Sequence, residues 1–458
     1  MRKRALIMDA MAEISGLSIG QRAVHRRAVE AVIWGMPAVN YQMMYEASAR
    51  LGGPGDNQIV YWPGPGDWRN QTLTPNPDVV YLMPFINTRH AGPVVLEIPP
   101  AEGGALNGSI MNYWQAAIED IGPAGVDQGR GGRCLLLPPG AADHVPEGYI
   151  PFRSDTYQNY ALVRSVLPGG SDADIAQAVA YAKRIRLYPL SAAGNPPDTV
   201  WVDASTKVFD AAIPYDLRFF QALHRIVQAE PFLHRDRVMI DQLRSVGIEQ
   251  GRPFDPDPAT REILESAVAE AHGWLDATYE SIFRPYFGNA RWALPALPEF
   301  LAGIESFFEQ PDAYPVDARG VAYSYAFFSA RHLGKGQFYL MTITDRDGQP
   351  LDGAATYRLT VPADAPVSQY WSATVYNRAT HTLIRDVPRP GRGSQSPGLH
   401  VNQDGSADLY FASQPPPGQD ANWVPTDSSG RFEVLFRFYG PTAPLFDKTW
   451  RLPDIERV

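Results

Sequence analysis

The residues best suited to chemistry begin in "LTPNPDVVY", residues 73–81. Pro75 and Pro77 restrict the backbone on either side of Asn76 and ahead of Asp78, so these side chains have little freedom left to lose. Asp78 can accept a proton, orient a hydroxyl or cap a turn. Asn76 can bind an amide or hydroxyl, and Tyr81 follows on the first strand candidate. The competing reading is an Asx-type turn that only aims the strand. Glu119 is a second carboxylate of interest. An Asp–Glu pair at the right separation supports acid/base hydrolysis of glycosidic bonds, and spacing alone does not give that separation. Asn112 and Trp114 share one face if the strand through them is unbroken, with Tyr113 on the other. Together they could line a pocket for a polar ring. His332, in "YSYAFFSARHLGKGQFY", is the histidine placed for acid/base work, among aromatic and glycine neighbours. Arg133 and Arg184 could hold an anionic group, although solvated or ion-paired arginines are the commoner case. In the last third, Tyr376 and Trp423 complete the candidate substrate contacts. Tyr370 and Tyr376 fall on one strand face and Trp371 on the other.

Other chemistries lack their signatures. The nine histidines contain no HxH or HExxH spacing, so no histidine metal site is expected. Cys134 is the only cysteine, which rules out an intrachain disulfide or a thiolate cluster within one chain. Its place in a leucine-rich strand predicts a buried, inert thiol. Ser109, in "NGSI", is not in a GxSxG elbow. Neither GxGxxG nor GxxxxGK[ST] occurs, so no nucleotide is expected and the cofactor expectation is none. The 40 Lys and Arg against 50 Asp and Glu leave a net charge of −10, which argues against a general nucleic-acid surface. No run of 18 apolar residues exists, so no membrane span is expected. The opening "MRKRALIMDAMAEISG" has acidic residues where a signal peptide needs an apolar stretch. The default expectation is cytoplasmic, with periplasm or secretion as the alternative if a leader is missing.

Elements must carry these residues. The chain has 458 residues, 45 % apolar, with 39 Gly, 42 Pro and many aromatics; its length implies several domains. Residues 1–60 read as a helical segment, dominated by "RAVHRRAVEAVIWGMPAVNYQMMYEASARL". Gly35-Met36-Pro37 predicts a kink or two helices there. Residues 61–190 read as a β module with strands at 79–85, 93–98, 108–114, 117–120 and 133–137. A helix follows, capped by Ser171 or Asp172 and running to about Ile185. Residues 191–320 read as a helical linker, with Pro258 near the start of its third helix. Residues 321–458 return to alternating strands and short turns, the pattern of a sandwich or jelly roll.

The stretches "TLTPNPDVVYLMPFINTRHAGPVVLEIPP", "RCLLLPPG" and "AKRIRLYPL" resemble the bacterial DUF1254 family. "YRLTVPADAPVSQYWSATVYN", "LHVNQDGSADLYFASQPPPGQDANWVPT" and "FEVLFRFYGPTAPLFDKTW" resemble DUF1214. The resemblance implies two β-sandwich or jelly-roll-like modules with helices between and around them, and no generally assigned reaction. The family segment usually reads Thr-Pro-Asn-Asn-Asp-Thr-Leu-Tyr. Pro77 stands here in place of the second Asn, while Asn76, Asp78 and Tyr81 remain.

The expected fold is therefore mainly β with helical segments, two sandwich or jelly-roll-like modules joined by a helical region. The expected function is metal-independent acid/base chemistry, of hydrolase or lyase type, on a small polar organic or carbohydrate-like substrate. Asp78, Glu119 and His332 are the catalytic candidates. Two alternatives use the same aromatic surface: a glycan or small-molecule binding protein without catalysis, and a homo-oligomeric assembly protein whose exposed aromatic edges pack between subunits.

Overall fold

The structure is a computed structural model that describes residues 16–142, 144–166, 171–326, 330–331 and 336–458. Its organising element is helix α1 (Ile19–Arg50). Ser18 caps it, accepting from the Gln21 backbone while the Gln21 side chain accepts from the Ser18 backbone N–H, a capping box. The helix continues through Pro37, where the sequence predicts a kink or a break. Packing explains the difference. Every residue from Ala31 to Gln42 is buried, and the Pro37 carbonyl accepts a 2.7 Å hydrogen bond from Gln115. A surrounded helix is held by its neighbours rather than by local propensity.

Those neighbours are α3 (Leu217–Ala229), α4 (Pro258–Ser281) and α6 (Val316–Tyr325). Helices α2 (Asp172–Ala182) and α5 (Pro298–Glu305) lie outside this inner group. Ser171 caps α2; Asp257 caps α4, with Pro258 at its first turn. Close approach requires small residues at two contacts. A Cβ on Gly35 would meet Leu223 of α3, and one on Gly320 of α6 would come within 2.8 Å of Ile33.

Among the described residues, twelve strands precede the last third of the chain: β1 (Gln58–Tyr61), β2 (Asn70–Gln71), β3 (Val80–Asn87), β4 (Val94–Ile98), β5 (Leu106–Asn112), β6 (Ala117–Ile121), β7 (Gly132–Leu137), β8 (Tyr149–Arg153), β9 (Gln158–Ser165), β10 (Arg186–Pro189), β11 (Trp201–Asp203) and β12 (Phe209–Asp210). They form sheets ordered β11-β1-β3-β9-β5-β6 and β10-β4-β7-β8, with β2 and β12 as a separate pair. Strand β3 shows why both its faces are apolar. Tyr81, Met83 and Phe85 join the helical core. Leu82 and Ile86 join a second core with Leu96, Leu136 and Cys134 from the neighbouring sheet.

The last third adds β13 (Gln337–Thr342), β14 (Tyr357–Val361), β15 (Val367–Asn377), β16 (Gly391–Gly393), β17 (Ala407–Ala412), β18 (Trp423–Pro425), β19 (Phe432–Pro441) and β20 (Glu456–Arg457). Their sheets run β13-β19-β15-β16 and β18-β17-β14-β20. Alternation sorts the first of these sheets cleanly. Leu340, Trp371, Ala373, Val375, Val434, Phe436 and Phe438 enter a core shared with Leu359, Leu409 and Phe411. The opposite face carries Tyr339, Tyr370, Ser372, Tyr376, Glu433, Arg437 and Tyr439.

The fold is mixed α/β with several open sheets, and the expectation of mainly β sandwich or jelly-roll modules is corrected accordingly. Among the described residues no sheet closes or curls, and the pairs β1–β11, β2–β12, β7–β8 and β17–β18 are parallel. Apolar alternation shows that a strand buries a face; it does not show whether a sheet or a helix covers it. Here α1 and its neighbours cover much of what the sequence assigns to sheet-on-sheet packing. Among the described residues, no helix is long and apolar enough to cross a membrane.

Candidate functional site

The loop between β2 and β3 joins the two ends of the chain. Thr74 donates from its backbone N–H to the His381 carbonyl at 2.7 Å. The Gln71 side chain donates to the Leu383 carbonyl and accepts from Thr382 Oγ1, both at 2.9 Å. Tyr376 Oη donates to the Pro75 carbonyl at 2.7 Å. Arg437, 2 % exposed, donates to the Thr74 carbonyl at 3.1 Å, to the Pro75 carbonyl at 3.4 Å, to Tyr376 Oη at 2.6 Å and to Thr374 Oγ1 at 2.9 Å. Asn76 Nδ2 donates to Tyr439 Oη. The loop is thus fastened to the polar face of β15 and β19. Thr74 adopts φ +38°, a costly conformation for a β-branched residue, which these bonds hold in place.

Asn76 is spent on this fastening. Its Oδ1 accepts from the Asp78 N–H at 3.0 Å, so the Asx turn suggested by the sequence is present. Asp78 is different. Its Oδ2 is buried without a hydrogen-bond partner, and so are Ser372 Oγ and Arg164 Nε. Burial pushes the Asp78 carboxyl above its ordinary range, opposed by the nearby Ser372 hydroxyl and the Arg437 charge. Ser372 is close enough to favour the charged form, yet the two groups do not complete a hydrogen bond. Buried polar atoms without partners are uncommon and call for a reason.

Tyrosines enclose these groups. Arg164, on β9, lies opposite Tyr81 on β3, with its guanidinium 5.5 Å from the Tyr81 ring centre. Tyr370 and Tyr439 stack at 4.1 Å. The Arg437 guanidinium lies 5.7 Å from the Tyr339 ring centre. Burial pushes the hydroxyls of Tyr339, Tyr370, Tyr376 and Tyr439 upward, so all four are neutral near pH 7. Asp78, Arg164, Tyr339 and Tyr370 nevertheless retain some accessible surface, so solvent reaches this seam.

The other sequence candidates are scattered. Tyr81 and Tyr376 do join the seam. Asn112 and Glu119 instead line a separate open cleft of about 490 Å³, with Arg153, Arg235, Phe307 and Arg331. Asp78 does not line this cleft, so Asp78 and Glu119 stand as separate candidates and not as one pair. Asn112 is already committed to Asp155 at 2.8 Å and to the Ala116 N–H at 3.0 Å. Trp114 does not share its face, because β5 ends at Asn112 and the chain turns, with Gln115 at φ +57°. The Trp114 ring packs 4.6 Å from Trp34 in the core. Arg133 is exposed above Tyr149. Arg184 is exposed above Tyr181 and donates to the Glu102 carbonyl. Trp423 donates from Nε1 to the Ala412 carbonyl at the sheet edge. His332 lies outside the described residues.

Arg164, Ser372, Arg437 and Tyr439 are not among the sequence candidates. A signal for the arginines exists. Each is a charge in an otherwise mainly apolar strand, "NYALVRS" and "FEVLFRFYG", where a charge needs a buried partner. Glu433 carries the same signal. Fully buried, it meets His381 Nδ1 at 2.8 Å and accepts from Tyr279 Oη at 2.7 Å.

Comparison with known families follows the same division. Residues 57–189 match the family model of DUF1254, and residues 336–443 match that of DUF1214, each described as a protein of unknown function. The chain matches both families. Asp78, Tyr81 and Arg164 come from the DUF1254 segment; Tyr339, Tyr370, Ser372, Arg437 and Tyr439 come from the DUF1214 segment. The seam is therefore built by the two together. The chain is similar in fold to the VPA0106 protein from Vibrio parahaemolyticus, at 19 % identity and a TM-score of 0.57, over 95 % of this chain and 100 % of that one. A Burkholderia cenocepacia protein described as uncharacterized aligns at 12 % identity and a TM-score of 0.41, over 100 % of this chain and 98 % of that one. No curated protein matches.

Proposed function

We propose that the seam between the DUF1254 and DUF1214 segments is a small-molecule site in which Asp78 transfers a proton to or from a small polar organic substrate. The observation that carries this reading is the buried, unpartnered Asp78 Oδ2 beside the equally unpartnered Ser372 Oγ. A carboxyl raised by burial works nearer neutral pH than an exposed one, which suits general acid/base catalysis. Tyr376 and Tyr339 already donate to the Pro75 carbonyl and to Gln337, which leaves Tyr370 and Tyr439 as the hydroxyls that can donate to a developing oxyanion. The reaction class is lyase- or isomerase-type proton transfer next to a carbonyl.

Proton abstraction can be read without knowing the product. The purified chain is incubated in D₂O with a panel of small keto acids, hydroxy acids and their neutral amides, and deuterium incorporation is followed by NMR. Exchange is expected for at least one compound, with loss of about 100-fold or more in Asp78→Asn, in line with the usual contribution of a general base. The variant's melting temperature checks that it is folded. No exchange in any wild-type reaction, or undiminished exchange in the folded variant, overturns the proposal.

A further inference from the structure

The charges at the seam do not balance. Arg437 is buried and Arg164 is half-buried with its Nε shielded from water, and Asp78 supplies one carboxylate. Among the described residues neither arginine forms an ion pair with an acidic side chain; the groups around both are chiefly tyrosines. Arg437 is well satisfied, with four hydrogen bonds to neutral oxygens and Asp78 within its field. Arg164 is not. Its Nε has no partner, and its support is chiefly Tyr81, through the hydroxyl and the ring 5.5 Å away, with no acidic side chain paired to it among the described residues. An unpaired, partly buried cation is costly and a carboxylate relieves that cost. Guanidinium is also the group whose planar fork fits a carboxylate in two parallel hydrogen bonds.

We propose that Arg164 binds the carboxylate of a small organic monoacid at the seam, placing the rest of the molecule toward Asp78 and Ser372. One excess positive charge calls for one negative charge. A dianion such as phosphate would add a charge that Asp78 repels. The tyrosine rings of Tyr81, Tyr339, Tyr370 and Tyr439 provide an apolar wall with hydroxyl tips, suited to a compact organic acid rather than to an inorganic anion. This inference rests on the reading of the seam as a small-molecule site and adds the substrate class.

The test compares acids with neutral isosteres on the full chain by calorimetry. Acetate, pyruvate and benzoate are titrated against acetamide, pyruvamide and benzamide, with inorganic phosphate as a further probe. At least one acid is expected to bind 10-fold or more tighter than its amide. Arg164→Gln should weaken that acid 10-fold or more, and Arg164→Lys less. Without ligand, Arg164→Gln should melt at the wild-type temperature or above it, because it removes an uncompensated charge; a purely structural arginine would leave a less stable protein. Asp78→Asn should keep acid binding or tighten it. Equal binding of every acid and its amide, unchanged acid binding in Arg164→Gln, or a preference for phosphate overturns the inference. The two proposals fail separately. Acid binding without deuterium exchange removes the catalytic role of Asp78 alone. Exchange confined to neutral amides removes the carboxylate alone.

Discussion

Replacing Arg437 by Met keeps most of the side-chain volume and removes the charge and all five N–H donors. The structure indicates what is then left behind. The Pro75 carbonyl keeps its bond from Tyr376 Oη, and the Thr374 and Tyr376 hydroxyls can turn to other partners. The Thr74 carbonyl loses its donor, an orphaned acceptor costing about 1–3 kcal/mol. Asp78 also loses its cationic neighbour, which adds on the order of 1 kcal/mol before the carboxyl protonates. Relief from burying a guanidinium offsets part of this. The net expectation is about 2–3 kcal/mol of lost stability. It would be measured by urea unfolding, followed by both far- and near-ultraviolet circular dichroism to detect separate transitions. Arg437→Lys should recover little, since one ammonium cannot reach four acceptors spread across the loop and strand. A double-mutant cycle with Tyr376→Phe should show coupling of about 1 kcal/mol or more, because the two side chains share a bond and the Pro75 carbonyl. A change under about 0.5 kcal/mol in Arg437→Met, or no coupling to Tyr376, would refute the argument that Arg437 holds the 70–78 loop on the sheet.

Two further predictions concern the scaffold. Burial pushes the Glu230 carboxyl up to about 7 from its usual 4.5, against the backbone N–H donors of Gln158 and Tyr157. Its pKa is higher in the folded than in the unfolded chain, so its contribution to stability is fully present below pH 4.5 and is lost as pH rises through about 7. The slope is on the order of 1 kcal/mol per pH unit. Melting temperatures against pH should show this in the wild type and a flatter profile in Glu230→Gln; identical profiles would contradict it. Gly320→Ala should cost about 1–3 kcal/mol, because its Cβ would press on Ile33 of α1. A neutral outcome in a melting experiment would mean that α6 shifts freely on α1.

Much of the local structure was legible in the sequence, and the reasons are local. Ser171 and Asp257 cap helices where their side chains and following residues indicate. Tyr370 and Tyr376 share a face because strand alternation leaves no choice. The Asx turn at Asn76 and Asp78 follows from two prolines and two short polar side chains. Apart from the local turn at Gln115 that takes Trp114 off the face of Asn112, the failures are long-range. Continuity of α1 through Pro37 depends on helices up to 300 residues away. Glu119 and Asp78 fall in different places because β6 pairs at the far edge of a six-stranded sheet from β3, across β9 and β5. Arg164 and Arg437 carried a visible signal, a charge in an apolar strand. Their meeting could not be seen until the sheet orders were known.

That meeting gives the 70–78 loop a meaning that neither segment has by itself. In isolation the DUF1254 segment would present Asp78 on a loop and Arg164 on a strand, both open to water on that side. In isolation the DUF1214 sheet would expose Arg437, Ser372 and four tyrosines on one face. Docking strips part of the water from all of them at once, and this is what raises the Asp78 carboxyl and sets Arg164 among tyrosines. The same residues therefore fasten the halves and create the electrostatics of the seam. Thr74, Pro75 and Asn76 make the fastening bonds, and Asp78 follows two residues later on the same restrained backbone. Any displacement that breaks the Arg437 bonds must also move Asp78 and let water in. The geometry of the seam and the docking of the two segments are then one equilibrium.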